Sequence, residues 1–341
     1  MSNKSSPMRS YHPILHRCRE HIRQALYAVR PALAALTILA TGCQKDVTCP
    51  GNVTRKVNIR FMWEESVQTL PDGMNLYFFP AGEHENIWTF NIPSPTEGTV
   101  ELPTGIYNVI CYNADTRGID FTETHSFHSF SATTLYPEQS GQPSTVPTAL
   151  IPDMLYGAIT ERLRVTECGI EYLTPDHTVK TCGEYLLRIW PQQMVSRYNV
   201  ILKNVENLSA AKSIKGRICG MASGCNISSG QPLPPASKME FQMEASSENE
   251  AYGSFLNFGA YPDVAQTLVI SFSLSDGTSV EFSGDVSDQI ANSYDPKNID
   301  IIINGLKVPD TGNDPIGGDS GLDVGIDGWS VVIIDLSSEK H

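Results

Sequence analysis

The residues of this chain that could do chemistry are its thiols, a pair of histidines and a spaced run of carboxylates. Eight cysteines stand at Cys18, Cys43, Cys49, Cys111, Cys168, Cys182, Cys219 and Cys225. A thiol can form a disulfide, ligate a metal or carry a lipid. Cys168 and Cys182 are symmetric about position 175, and Thr174-Pro175-Asp176-His177 reads as a turn. A hairpin of residues 165–173 and 178–190 would set the two thiols face to face, where a disulfide could join them. Cys219 and Cys225 flank a Gly/Ser-rich loop and could also pair. Zinc would need CxxC or His-x3-5-His spacing, and neither occurs. His125 and His128 lie three apart on what reads as a strand, which sends them to opposite faces and makes poor ligand geometry. Asp310, Asp314, Asp319, Asp323 and Asp327 could meet Ca²⁺, but they lack the DxDxDG pattern closed by a Glu, so a solvated linker is expected. No GxSxG, HExxH or GxxxxGK[ST] occurs. Nothing singles out the converging carboxylate pair that a glycosidase needs. Neither a catalytic residue nor a metal or cofactor is expected. Trp88, Tyr107, Tyr112 and Trp190 could form a sugar-stacking surface, or serve as core and edge aromatics.

One thiol has a more definite context. The nine-residue apolar run Ala32-Leu33-Ala34-Ala35-Leu36-Thr37-Ile38-Leu39-Ala40 is followed by Thr41, Gly42 and Cys43. A membrane-spanning helix needs about 20 apolar residues, whereas a signal-peptide core needs about 7–15. Small side chains ahead of a cysteine fit a signal peptidase pocket, and the thiol then carries diacylglycerol. The segment resembles a bacterial lipobox, with Ala40 where Leu is usual. Residues 1–42 therefore read as a lipoprotein signal peptide, with lipidation at Cys43. The Gln44-Lys45-Asp46 that follows resembles a short surface-export tag.

Charge supports this partition. The 341 residues carry 24 Lys+Arg and 38 Asp+Glu, a net charge of −14. Six of the cations (Lys4, Arg9, Arg17, Arg19, Arg23 and Arg30) and only Glu20 among the acids lie in residues 1–42. The remainder is strongly acidic, which makes nucleic acid and anionic membrane poor partners for the body of the protein. Membrane contact is expected through lipid alone.

The elements that must position these groups are strands. Val57, Ile59, Phe61 and Trp63 alternate with Asn58, Arg60 and Met62. Further strands are expected at 74–79, 87–92, 100–102 and 106–112. A Pro/Ser/Thr/Gln-rich loop covers 134–148. Later candidates are 161–173, 180–190, 197–204, 214–219, 238–244, 252–258, 267–274, 278–283 and 298–304. Asp276-Gly277 between two β-rich runs marks a hairpin in which both turn positions want positive φ. Short helical segments are expected at 205–213 and 286–292, the latter capped by Asp285. No βαβ alternation occurs, which excludes doubly wound nucleotide-binding folds.

The reading is an all-β chain of two sandwiches, 43–158 and 159–307, followed by an acidic Gly-rich linker and terminal strand over 308–341. The strand Trp329-Ser330-Val331-Val332-Ile333-Ile334-Asp335-Leu336 beyond that linker needs a sheet edge. Trp329, Val331 and Ile333 would be its inserting side chains. It could close its own sheet or be donated to a neighbour.

The segments Leu102-Pro103 with Gly105–Asn113, Asp153–Ala158, Gly220-Met221-Ala222, Phe255–Gly259 and Asp285-Val286-Ser287 resemble Bacteroidales fimbrillin-like surface lipoproteins. So do the lipobox and the Asp/Gly tail ending at Trp329. The particular resemblance is to the DUF5119 group within the FimB–Mfa2-like set, over residues 43–341. It implies two tandem transthyretin-like β-sandwiches on the outer surface of the outer membrane, held by acyl chains such as palmitate. It also implies assembly with other fimbrial subunits and adhesion to a surface glycan or protein. Polymerising relatives lose an N-terminal strand to an arginine-specific protease, and a C-terminal strand fills the groove. Arg55 and Arg60 flank the first strand here. The other reading of these features is a surface glycan-binding lipoprotein for nutrient capture.

Overall fold

The computed structural model describes residues 53–67, 69–82, 86–137, 146–174, 176–309 and 328–335. The expected signal peptide, Cys43 and the acidic run 310–327 lie outside the described residues. The fold is all-β with sandwich-like sheets. Among the described residues no helix is long and apolar enough to cross a membrane.

The alternation seen at the start of the chain is an inside–outside pattern. In the strand Thr54–Phe61, Val57, Ile59 and Phe61 are buried while Lys56, Asn58 and Arg60 face solvent. This strand is the middle of a three-stranded sheet. It runs antiparallel to Glu97–Pro103 and parallel to Leu186–Ile189. Arg55 and Arg60 thus lie within the strand instead of flanking it.

A seven-stranded sheet covers its apolar face. The order is Thr178–Lys180, Ile170–Leu173, Tyr156–Val165, Gly105–Asn113, Met74–Pro80, Trp88–Ile92, with Gln192–Gln193 pairing Tyr156–Val165. Val57, Leu76, Phe78, Val109, Leu163, Tyr172 and Leu187 share the core between the two sheets. Each such side chain, fully buried, contributes about 1.5–3 kcal/mol.

The break expected at 158/159 therefore falls inside Tyr156–Val165, which pairs along Gly105–Asn113. The strands from Tyr156–Val165 to Gln192–Gln193 all join the N-terminal sheets, whereas the earlier Ile119–Thr122, Ser131–Thr134 and Thr148–Ala149 belong to the sheet of the second half. Local patterning had no means of revealing this, because the long-range pairing of Leu186–Ile189 with Thr54–Phe61 leaves no periodic signal.

An eleven-stranded sheet makes the second half. Its main path is Asn298–Asn304, Ser196–Lys203, Ala251–Asn257, Pro232–Ala245, Ala211–Asn226, Thr267–Leu274, Thr278–Asp285, Trp329–Asp335. Val200, Phe241, Phe255, Ile270, Phe272, Phe282 and Ile301 form its core. The hairpin at Asp276-Gly277 is present, but the loop holds three residues, Ser275 to Gly277, and only Gly277 has positive φ (92°). Asp276 instead uses its carboxylate to accept the Thr278 N–H at 2.9 Å and hydroxyl at 2.7 Å. A turn closed by one left-handed residue matches the twist of the strands as well as a two-residue turn does.

The helix expected over 205–213 shrinks to one 3₁₀ turn, Leu208–Ala210, because Ala211 already begins a sixteen-residue strand. The other short helix is present as Ser287–Ala291, but its N-cap is Val286, with no side-chain cap bond; Asp285, one residue earlier, accepts the Ser287 N–H at 2.8 Å. Hydrogen bonds from the Ser287 hydroxyl and N–H hold the Asp285 carboxyl below the usual carboxylate range.

The two halves share a third apolar cluster. Phe79, Ile110 and Tyr112 of the first half meet Ala222, Cys225, Ile227 and Phe258 of the second through Phe127 and Phe130. The strand Ser131–Thr134 pairs with the far end of Ala211–Asn226. Gly224 permits this approach, since a Cβ there would lie 2.3 Å from the Ala132 carbonyl oxygen.

Candidate functional site

The terminal run predicted to need a sheet edge has one. Trp329–Asp335 lies antiparallel to Thr278–Asp285, with Trp329 opposite Gly284 and Asp335 opposite Thr278. It is the outermost strand at that end of the sheet. Its alternation decides what it buries. Val331 is buried, Trp329 and Ile333 pack partly buried on the same core, and Val332 is 55% exposed. The three side chains named from the sequence thus share the inward face. The Trp329 indole lies directly on Gly284, where a Cβ would fall 2.2 Å from its Cε2. Ser283 and Ser330 hydroxyls meet at 2.7 Å beside it.

The thiols are arranged differently from the expectation. Cys219 and Cys225 lie on the single strand Ala211–Asn226, with no loop between them. Six residues of strand span about 20 Å, against a Cα separation of at most about 7 Å for a disulfide. Both are free, and burial pushes the Cys225 thiol up to about 12. Buried Cys111 is likewise pushed up.

Cys168 and Cys182 are free and exposed at the base of a hairpin. Glu171 pairs with Lys180 and Leu173 with Thr178. The bonds Thr181 N–H to Ile170 O (2.8 Å) and Gly183 N–H to Cys168 O (2.5 Å) carry this register outward. Cys168 is therefore opposite Gly183, and Cys182 opposite Gly169. The turn is closed by Thr174 and His177, so the pairing is centred between 175 and 176 and not on 175. A one-residue offset sends the two thiols to opposite faces. Both should react with Ellman reagent in the native protein, whereas Cys111 and Cys225 should react only on unfolding. The C168S/C182S double variant should differ in stability by no more than about 0.5 kcal/mol. Recovery of a Cys168–Cys182 linked peptide from unreduced protein would contradict this.

The four candidate stacking aromatics do not share a surface. Tyr107 is buried and donates its hydroxyl to Pro103 O at 2.9 Å. Tyr112 is buried and stacks on Phe121 at 4.0 Å. Trp88 is exposed on an edge strand, and Trp190 is half-buried in a cleft of about 550 Å³ with Glu161, Gln192 and Gln193. His125 and His128 sit in turns, not on a strand, and both are exposed. His125 lies 3.3 Å from Glu123.

The geometry defines an all-β sandwich protein whose own distal segment is an outermost strand. Comparison with known proteins gives it a family. The chain belongs to the DUF5119 family, a domain of unknown function, whose model matches residues 42–241, more than half of the chain.

A curated protein of Bacteroides ovatus named "Putative fimbrium anchoring subunit Fim4B" is 23% identical over 220 residues, covering 62% of this chain. The match spans 61% of that relative's length. A crystal structure of "a putative adhesin" from Bacteroides ovatus shares the fold. It has 20% identity and a TM-score of 0.59, over 80% of this chain and 98% of that one. The fimbrial anchor protein Mfa2 of Porphyromonas gingivalis is more distant, with 12% identity and a TM-score of 0.49 over 74% of this chain and 91% of that one.

Proposed function

We propose that this chain is a non-enzymatic, lipid-anchored surface subunit of a fimbria, in an anchoring or accessory place. It joins other fimbrial subunits by β-strand complementation and supports adhesion at the outer membrane surface. The observation that carries the reading is the strand Trp329–Asp335. It lies beyond an eighteen-residue Asp/Gly segment (310–327), pairs with a single neighbouring strand, and holds the core through Trp329, Val331 and Ile333. A strand of that make leaves, when withdrawn, a groove that an equivalent strand of another subunit fits by the same main-chain bonds. The relative named as a fimbrium anchoring subunit supports the fimbrial part. The lipobox-like run ending at Cys43 supports the anchor.

Deleting residues 329–341 should abolish recovery of the protein in fimbrial assemblies. A synthetic peptide of residues 328–336 should bind the truncated protein and restore its melting temperature. Normal assembly by the truncated protein would overturn strand complementation by this segment.

The Trp190 cleft supports a second reading, a surface glycan-binding lipoprotein for nutrient capture, since an aromatic ring beside amide and carboxylate groups suits sugar hydroxyls and faces. Binding on a glycan array that is lost in Trp190→Ala would favour it.

A further inference from the structure

The eleven-stranded sheet has an outermost strand at its other end too. Asn298–Asn304 pairs in parallel with Ser196–Lys203 and, in the strand order, with nothing beyond. Its sequence, Asn-Ile-Asp-Ile-Ile-Ile-Asn, has four isoleucines, one charge and no proline or glycine. Such a segment on an open edge is prone to pair with a copy of itself. Because backbone groups alternate in direction along a strand, those of Asp300, Ile302 and Asn304 point away from Ser196–Lys203.

At the middle one, the edge is occupied by a side chain. Gln289, on the short helix Ser287–Ala291, accepts the Ile302 N–H on Oε1 at 2.8 Å. It also donates its Nε2 to the Ile302 carbonyl at 3.3 Å. A side-chain amide carries the same donor and acceptor as a peptide group, so Gln289 closes the pair of bonds that a neighbouring strand would make. Ile290, next to it, is buried in the core and holds the helix in place.

We propose that Gln289 is a plug that keeps the Asn298–Asn304 edge from pairing with the same edge of a second copy of this chain. The sheet is then closed to self-addition at this end by one side chain, while its opposite end is formed by the segment Trp329–Asp335. The inference does not depend on whether that segment is donated.

The test uses Q289A in the full chain, followed by sedimentation equilibrium over a range of concentrations and by amide exchange. The wild type should remain monomeric. Q289A should rise toward dimer mass with concentration, and under monomeric conditions its Ile302 amide should exchange about five- to tenfold faster, as expected for loss of one hydrogen bond. Adding I302P should restore the monomer, because proline removes only the outward-facing N–H and leaves the bonds to Ser196–Lys203 intact. A Q289A protein that stays monomeric overturns the proposal. So does one whose association survives I302P, since the contact would then lie elsewhere.

Discussion

Replacing Phe130 with Ala should cost about 3–5 kcal/mol and split thermal unfolding into two transitions. The ring is fully buried. It lies 5.0 Å from Tyr77, 6.2 Å from Phe79 and 6.0 Å from Tyr112, all on the first half's large sheet. On the other side its carbonyl accepts the Ile227 N–H at 2.8 Å, and its cluster takes in Ala222, Cys225 and Phe258. Truncation would leave a cavity at a cluster common to both halves. Each half keeps its own core, around Phe78 and Tyr172 in one and Phe272 and Phe282 in the other. Calorimetry would check this: a single transition, displaced by only a degree or two, would show that Phe130 does not couple the halves.

The second large effect is expected at Gly284. The glycine is there for its missing side chain, since a Cβ would fall within 2.5 Å of three atoms of the Trp329 indole. Gly284→Val should push the indole off the sheet, costing about 1–3 kcal/mol as an overpacked site. Trp329 is also the first residue of its strand, so the loss should spread. Amides of 330–335 should lose exchange protection, and tryptophan emission should shift to the red. In a Trp329→Ala background the same valine should cost much less, because the clash has no partner. Equal costs in the two backgrounds would place the strain elsewhere. Under the proposed role, Gly284→Val should also release the terminal strand more readily for exchange.

Much of the fold was legible in local pattern. Val57, Ile59 and Phe61 point inward because a strand presents alternate residues to one face, and that period survives any choice of partner. The same holds for Trp329, Val331 and Ile333, whose common face was evident before their sheet was known. Asp276-Gly277 was legible as a turn, although only Gly277, and not both turn residues, takes positive φ.

Pairings between segments far apart, and exact register, were not legible. Cys168 and Cys182 were one residue out of register, and in a sheet one residue is the difference between facing and opposing. Gly220, Ser223 and Gly224 read as breakers between Cys219 and Cys225. They lie in a strand because Gly220 and Gly224 admit close backbones that other residues would block. Local pattern near 158 carries no trace of the return of Leu186–Ile189 across more than a hundred residues to pair with Thr54–Phe61. Gln289 carried no signal at all, since an exposed glutamine acquires meaning only when an edge strand lies beside it.

The sequence alone therefore settled that this is an acidic, all-β chain with a strand-forming distal segment, because composition and period-two alternation are properties of the chain itself. Tertiary structure decided that the segment lies beside Thr278–Asp285, that the thiols stand apart and that Phe130 joins the halves. Strand pairing is a competition among distant segments of similar pattern, and its outcome depends on which steric fits, such as the indole on Gly284, only the folded chain brings together.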